Sequence, residues 1–175
     1  GAMCGGFDVT RSGWVNSWSG HTTNCYYCCV AYLLNMTTEA LFRRSEIMQE
    51  DTGTLRDVNI LFAAALSPRD AAKVVSQTFF EPDLKGQIEA FMRSLTFGDA
   101  VGFGYTRPDG TGHMVVVSRH DLNGQNIYID VQNSTMPELF PPEGGTFLEA
   151  TLFYKSHPCR TVGPSTAFPT GPQTL

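Results

Sequence analysis

The stretch GHMVVVSRHDLNGQNIYIDVQ, residues 112–132, decides how this chain is read. Two short runs rich in β-branched residues, 113–118 and 125–131, flank Asn123-Gly124, the dipeptide that most strongly marks a two-residue hairpin turn. They predict an antiparallel pair. With that turn Leu122 faces Gln125, and the ladder sets His113 opposite Ser134. Alternate residues share a face, so His113, Ser134, Gln132 and Asp130 project to the same side. In that register Asp130 lies four residues from the position facing His113, roughly 13 Å along the strand at about 3.3 Å per residue, and Gln132 is the nearer diagonal neighbour. An irregular loop or a shifted register around residues 121–125 would bring Asp130 closer.

Outward from this pair, residues 100–106 read as a strand joined to it by the turn Pro108-Asp109-Gly110, and residues 147–154 read as another after a Pro/Gly-rich connection. Upstream the pattern is helical, over about 25–34, 38–49, 55–66 and 84–95. Ser67-Pro68-Arg69-Asp70 supplies an N-cap, a first-turn proline and an acid, and predicts a further helix through Val75. Helices followed by strands imply an α+β fold, with N-terminal helices packed on a C-terminal antiparallel sheet. The domain boundaries follow. Residues 1–3 read as the remnant of a cleaved expression tag, 4–160 as a single domain, and 161–175, with Pro164, Pro169 and Pro172, as an irregular tail.

At 175 residues and 42% hydrophobic content, the chain can bury a core without cross-links, so its cysteines are not needed for stability. The net charge is -5 and no run of Lys or Arg exceeds Arg43-Arg44, which argues against nucleic acid as a partner. No apolar run approaches the roughly 20 residues of a membrane-spanning helix.

The chemistry gathers at NCYYCCVAYLL, residues 24–34. The cysteines are Cys4, Cys25, Cys28, Cys29 and Cys159, an odd number, so at least one is unpaired within a monomer. Cys25 falls at a helix start, where the macrodipole and unpaired N–H groups favour an anion. Cys28 and Cys29 fall deeper in an apolar helix and read as small buried groups. His113, after Gly112 at a strand start, supplies a general base and acid. A carboxylate or amide behind it, Asp130 or Gln132, would orient the ring. Register favours Gln132 and ionic chemistry favours Asp130. Three rivals stand beside this reading: a zinc site of Cys25, Cys28, His157 and Cys159, a redox pair Cys25-Tyr-Tyr-Cys28, which lacks the strand expected before Asn24, and a binding module without catalysis. The cysteine-hydrolase reading takes no metal and no cofactor.

These elements resemble the papain-fold toxin family of bacterial polymorphic toxin systems, often described as protein-glutamine deamidases. The resemblance rests on NCYYC with Asn24-Cys25, GHMVVV with Gly112-His113, and IYIDVQN with Asp130 and Gln132, in the family's order and spanning about residues 16–133. It implies a papain-like fold with Cys25 as nucleophile, His113 as general acid/base and Asp130 as its orienting partner, Gln132 taking the polar position just beyond. It also implies the C-terminal module of a larger secreted protein, delivered from a bacterium into a target cell. There it would act on a host or competitor protein bearing a susceptible glutamine and be neutralised by a cognate immunity protein. Papain-like peptidases often carry a glutamine several residues before the cysteine as an oxyanion donor. Here Ser17, Ser19 and His21 occupy that neighbourhood, so the oxyanion hole would rest on the Cys25 N–H with Asn24, Ser19 or His21 as the candidate second donor. The same machinery serves a peptidase or a transglutaminase, according to the shape of the pocket.

Overall fold

The computed structural model describes residues 5–9, 24–48, 53–96, 98–119, 125–133 and 136–156. Its helices are α1 (Cys25–Leu33), α2 (Thr38–Ser45), α3 (Leu55–Ala65), α4 (Pro68–Ala71) and α5 (Leu84–Arg93). Four of them begin where a short polar side chain accepts a backbone N–H: Thr37 for α2, Thr54 for α3, Ser67 for α4 and Asp83 for α5. At α3 this is a full capping box, because Asp57 Oδ2 also accepts from the Thr54 N–H at 2.7 Å. The start of α1 is different. Asn24 holds the N-cap position without a capping bond from its side chain. This helix is apolar on nearly every side and buried at all positions but Tyr32, so packing rather than a polar face holds it in place.

The strands are β1 (Phe7–Asp8), β2 (Val74–Phe80), β3 (Asp99–Thr106), β4 (Gly112–Arg119), β5 (Asn126–Ile129) and β6 (Glu149–Lys155). They form one antiparallel sheet in the order β2-β6-β3-β4-β5, with β1 pairing along β3 through Phe7 and Ala100. The α+β expectation therefore holds, but the division into a helical half and a strand half does not. The helix expected through Val75 stops at Ala71, and residues from Val74 onward form β2, each paired with a residue of β6. Val74 and Ser76 are buried on one face of the strand and Phe79 on the other, and β6, far along the chain, satisfies its backbone.

Helices cover both faces. Met114 and Val116 of β4 and Phe153 of β6 meet α1 and α3, whereas Val115, Val117, Phe103 and Leu152 point the other way, towards α5. At Gly102 a Cβ would stand 2.7 Å from Met114 Cε and 3.4 Å from Leu33 Cδ1, so the glycine lets α1 settle close to the sheet. On the α5 side, Arg119 Nη1 donates to the carbonyls of Met92 and Leu95 at 3.3 and 2.8 Å and also to Arg93. The guanidinium thus serves the carbonyl end of α5, where positive charge is favoured. Among the described residues, no helix is long and apolar enough to cross a membrane.

Candidate active site

The position of His113 follows from the sheet register. Val116 faces Ile129 and Arg119 faces Asn126, where a two-residue turn at Asn123-Gly124 would have set Val116 opposite Val131. The ladder is displaced by two residues from the hairpin expectation; Asn123, Gly124 and Ser134 themselves lie outside the described residues. An even displacement keeps every side chain on its expected face. It moves the position across from His113 to Gln132 and makes Asp130 the diagonal neighbour, within reach of a side-chain bond.

The ladder between β4 and β5 ends at Ile129, and residues 131–133 turn away. Beyond that point β4 has no β5 alongside it. His113 sits in this opening, and Cys25 at the first position of α1 approaches from the opposite face of the sheet. His113 Nε2 lies 3.1 Å from Asp130 Oδ2, and Cys25 stands close enough to the same ring to be one of the causes that raise its pKa. With Nε2 committed to the carboxylate, Nδ1 is the nitrogen left for sulfur. Asn133 Nδ2 donates to Asp130 Oδ2 at 3.0 Å and the Gln132 N–H supports the carboxylate, fixing the group that orients the ring. Tyr105, paired with His113 across β3 and β4, packs its ring against the imidazole at 5.9 Å and near a right angle.

Electrostatics favour a charged ring. His113 is only 8% exposed, and burial alone would lower its pKa; the bonds and charges of Asp130 and Cys25 outweigh burial and raise it from 6.5 to about 9. Burial acts on Asp130 in the opposite sense, yet the His113 bond and charge hold its carboxyl below the usual range, with help from Asn133 and the Gln132 N–H. The other cysteines of α1 are fully buried. Desolvation pushes the Cys28 thiol up to about 12 and Cys29 well above its ordinary value, as expected of packing groups and not nucleophiles.

Of the expected site residues, Cys25, His113 and Asp130 therefore come together, and Gln132 lies buried beside them. Asn24 is fully buried next to Cys25. Ser19 and His21 lie outside the described residues, as do Cys4 and the His157 and Cys159 of the zinc alternative. Among the described residues, no group of three His, Cys, Asp or Glu is arranged to hold a metal. Two contributors escaped the sequence reading. Asn133 was legible as an Asp-x-x-Asn turn, and Tyr105 followed from pairing the strands on either side of Pro108-Asp109-Gly110.

A cavity of about 400 Å³ opens beside His113 and Asp130. One wall is the chain after Met136, pinned where Glu143 accepts from the Tyr105 hydroxyl at 3.2 Å and meets Arg107 Nε at 3.3 Å. No protein-family model matches this chain, and no curated protein matches it.

Proposed function

We propose that the chain is a cysteine hydrolase of papain-like type, deamidating glutamine side chains of target proteins as the toxic module of a larger secreted bacterial protein. The observation that carries the reading is the imidazole of His113 held between the Cys25 thiol and the Asp130 carboxylate. In this mechanism the proton that Cys25 gives up already resides on His113, whose ring favours the charged form, and the thiolate attacks the carboxamide carbon. The tetrahedral oxyanion forms beside the start of α1. Helical N–H bonding there begins only with the Cys28 N–H on the Asn24 carbonyl, which leaves the Cys25 N–H outside the helical ladder. The imidazolium then protonates departing ammonia, and water, activated by the neutral ring, hydrolyses the thioester to glutamate. A neutral side chain on the target becomes an anion. The assignment to a bacterial toxin, with its target and immunity partner, rests on the motif resemblance together with this triad.

The test is to express the chain in a susceptible cell beside Cys25→Ala and compare the proteomes by mass spectrometry. Deamidation leaves particular glutamines about one dalton heavier, the exchange of an amide for a carboxyl. New peptide termini would instead assign a peptidase. Absence of any Cys25-dependent change would leave a binding module.

A further inference from the structure

The exposed apolar surface of the molecule is concentrated in one place. Among the described residues seven large hydrophobic side chains stand exposed, and three of them, Met136 at 74%, Leu139 at 54% and Phe140 at 79%, fall within five positions. Apolar surface gathered in this way marks a place where something docks. The three border two cavities, one of about 400 Å³ beside His113 and one of about 310 Å³ against α5. Tyr128 and Phe140 line both, so the two form one groove on the α5 side of the sheet. Its α5 wall runs from Lys85 through Glu89 to Arg93, about 12 Å at about 1.5 Å per residue. That wall alone matches about four residues of extended chain at about 3.3 Å each, the dimension of a polypeptide segment and not of a single side chain. Cys25 is not among the walls, so the groove does not hold the glutamine that reacts.

The groove is electrically polar. At the α5 end Lys85 and Arg93 outnumber Glu89, and none of the three makes an ion pair among the described residues. At the other end Asp130 is engaged by His113 and Glu143 by Arg107, which leaves the exposed Glu138 as the spare charge. Between the two ends stand Tyr128, Leu139 and Phe140. The complementary segment carries an acid at one end, apolar side chains in the middle and a base at the other. We infer that this groove is an exosite for the protein substrate, holding an extended segment of that acid, apolar, base pattern at a distance from the reacting glutamine. The inference rests on the hydrolase reading above. Because the segment lies on the sheet face opposite α1, it leaves the Cys25 thiol uncovered. Its binding raises the effective concentration of nearby glutamines at that thiol, so its contribution falls on KM.

The probe is a fluorescein-labelled peptide without glutamine, Glu-Glu-Gly-Leu-Phe-Leu-Gly-Lys-Lys, titrated against the intact chain by fluorescence anisotropy. Control peptides carry Glu at both ends or Lys at both ends. Saturable binding that both controls weaken roughly fivefold, the scale of exposed charge contacts, is the expected result. Phe140→Ser should weaken it roughly tenfold, as the loss of an aromatic anchor, and Arg93→Glu roughly fivefold. Both side chains are exposed, and either variant serves if the other folds poorly. A second arm compares a glutamine-bearing acceptor protein with and without the peptide sequence fused to it. The fusion should lower KM for deamidation about tenfold at unchanged kcat, and Phe140→Ser should cancel that gain. No saturable peptide binding, or binding that Phe140→Ser and Arg93→Glu leave unchanged, overturns the exosite, and intact deamidation then keeps the hydrolase standing. Binding that responds to both variants on a chain without Cys25-dependent deamidation overturns the hydrolase and supports the groove as the docking site of a binding module.

Discussion

Replacing Asp130 by asparagine preserves the shape of the side chain and removes its charge, which isolates the electrostatics of the His113 site. In the native protein burial depresses the His113 pKa, yet the Asp130 and Cys25 interactions carry it from 6.5 to about 9. At about 1.4 kcal/mol per pH unit, that net preference for imidazolium is about 3 kcal/mol. Because the folded pKa lies above the unfolded one, the stabilisation is fully present below pH 6.5 and is lost as pH rises through about 9. Across that window the folded chain binds about one more proton than the unfolded chain at this site. The His113 contribution to the unfolding free energy therefore falls by about 1.4 kcal/mol per pH unit. Asp130, with a depressed pKa, contributes in the other direction: its share is present above the ordinary carboxylate value of 3.8 and lost only as pH falls through the folded value, so it does not mask the effect. In Asp130→Asn, burial is opposed by Cys25 alone, and His113 should titrate far closer to about 6.5. Long-range proton–nitrogen NMR reads the ring directly, with His113 assigned among the four histidines through His113→Gln. Urea unfolding between pH 6 and 9.5 reads the linked stability, whose alkaline decline should flatten in the variant. A wild-type His113 midpoint near 6.5, or a midpoint that Asp130→Asn leaves in place, would refute the ion-pair account.

The remaining predictions concern the nucleophile, the orienting residue and the scaffold. Cys25→Ala should abolish turnover while Cys28→Ala mostly spares it, measured on the same acceptor protein with folding checked by circular dichroism; equal loss in both would point to redox or metal chemistry. Asp130→Ala should cost more in turnover than Gln132→Ala at matched stability, since the ring's 3.1 Å contact is with Asp130; the reverse ranking would make Gln132 the orienting group. Removing the α3 capping box with Thr54→Ala should lower the urea-unfolding free energy by about 1 kcal/mol without moving the His113 midpoint.

How much of this was legible in the sequence depended on the range of the interaction that decided it. Helical pattern announced α2, α3 and α5, and Ser67 before Pro68 announced the start of α4, because such signals are satisfied within a turn of themselves. The same local reasoning placed Cys25 at a helix start, and the period of two placed His113, Asp130 and Gln132 on one face whatever the pairing. Tertiary structure alone decided the rest. Residues 74–80 became a strand and not the continuation of α4 because β6 completes their hydrogen bonds, and nothing near Val74 encodes a partner beginning at Glu149. The choice between Asp130 and Gln132 as the ring's contact turned on a displacement of two residues between β4 and β5. Such a displacement costs no change of face, so alternation along the sequence is blind to it. Packing of α1 against Gly102 and Met114, and the early end of β5 at Ile129, brought Cys25 and His113 together from opposite faces of the sheet.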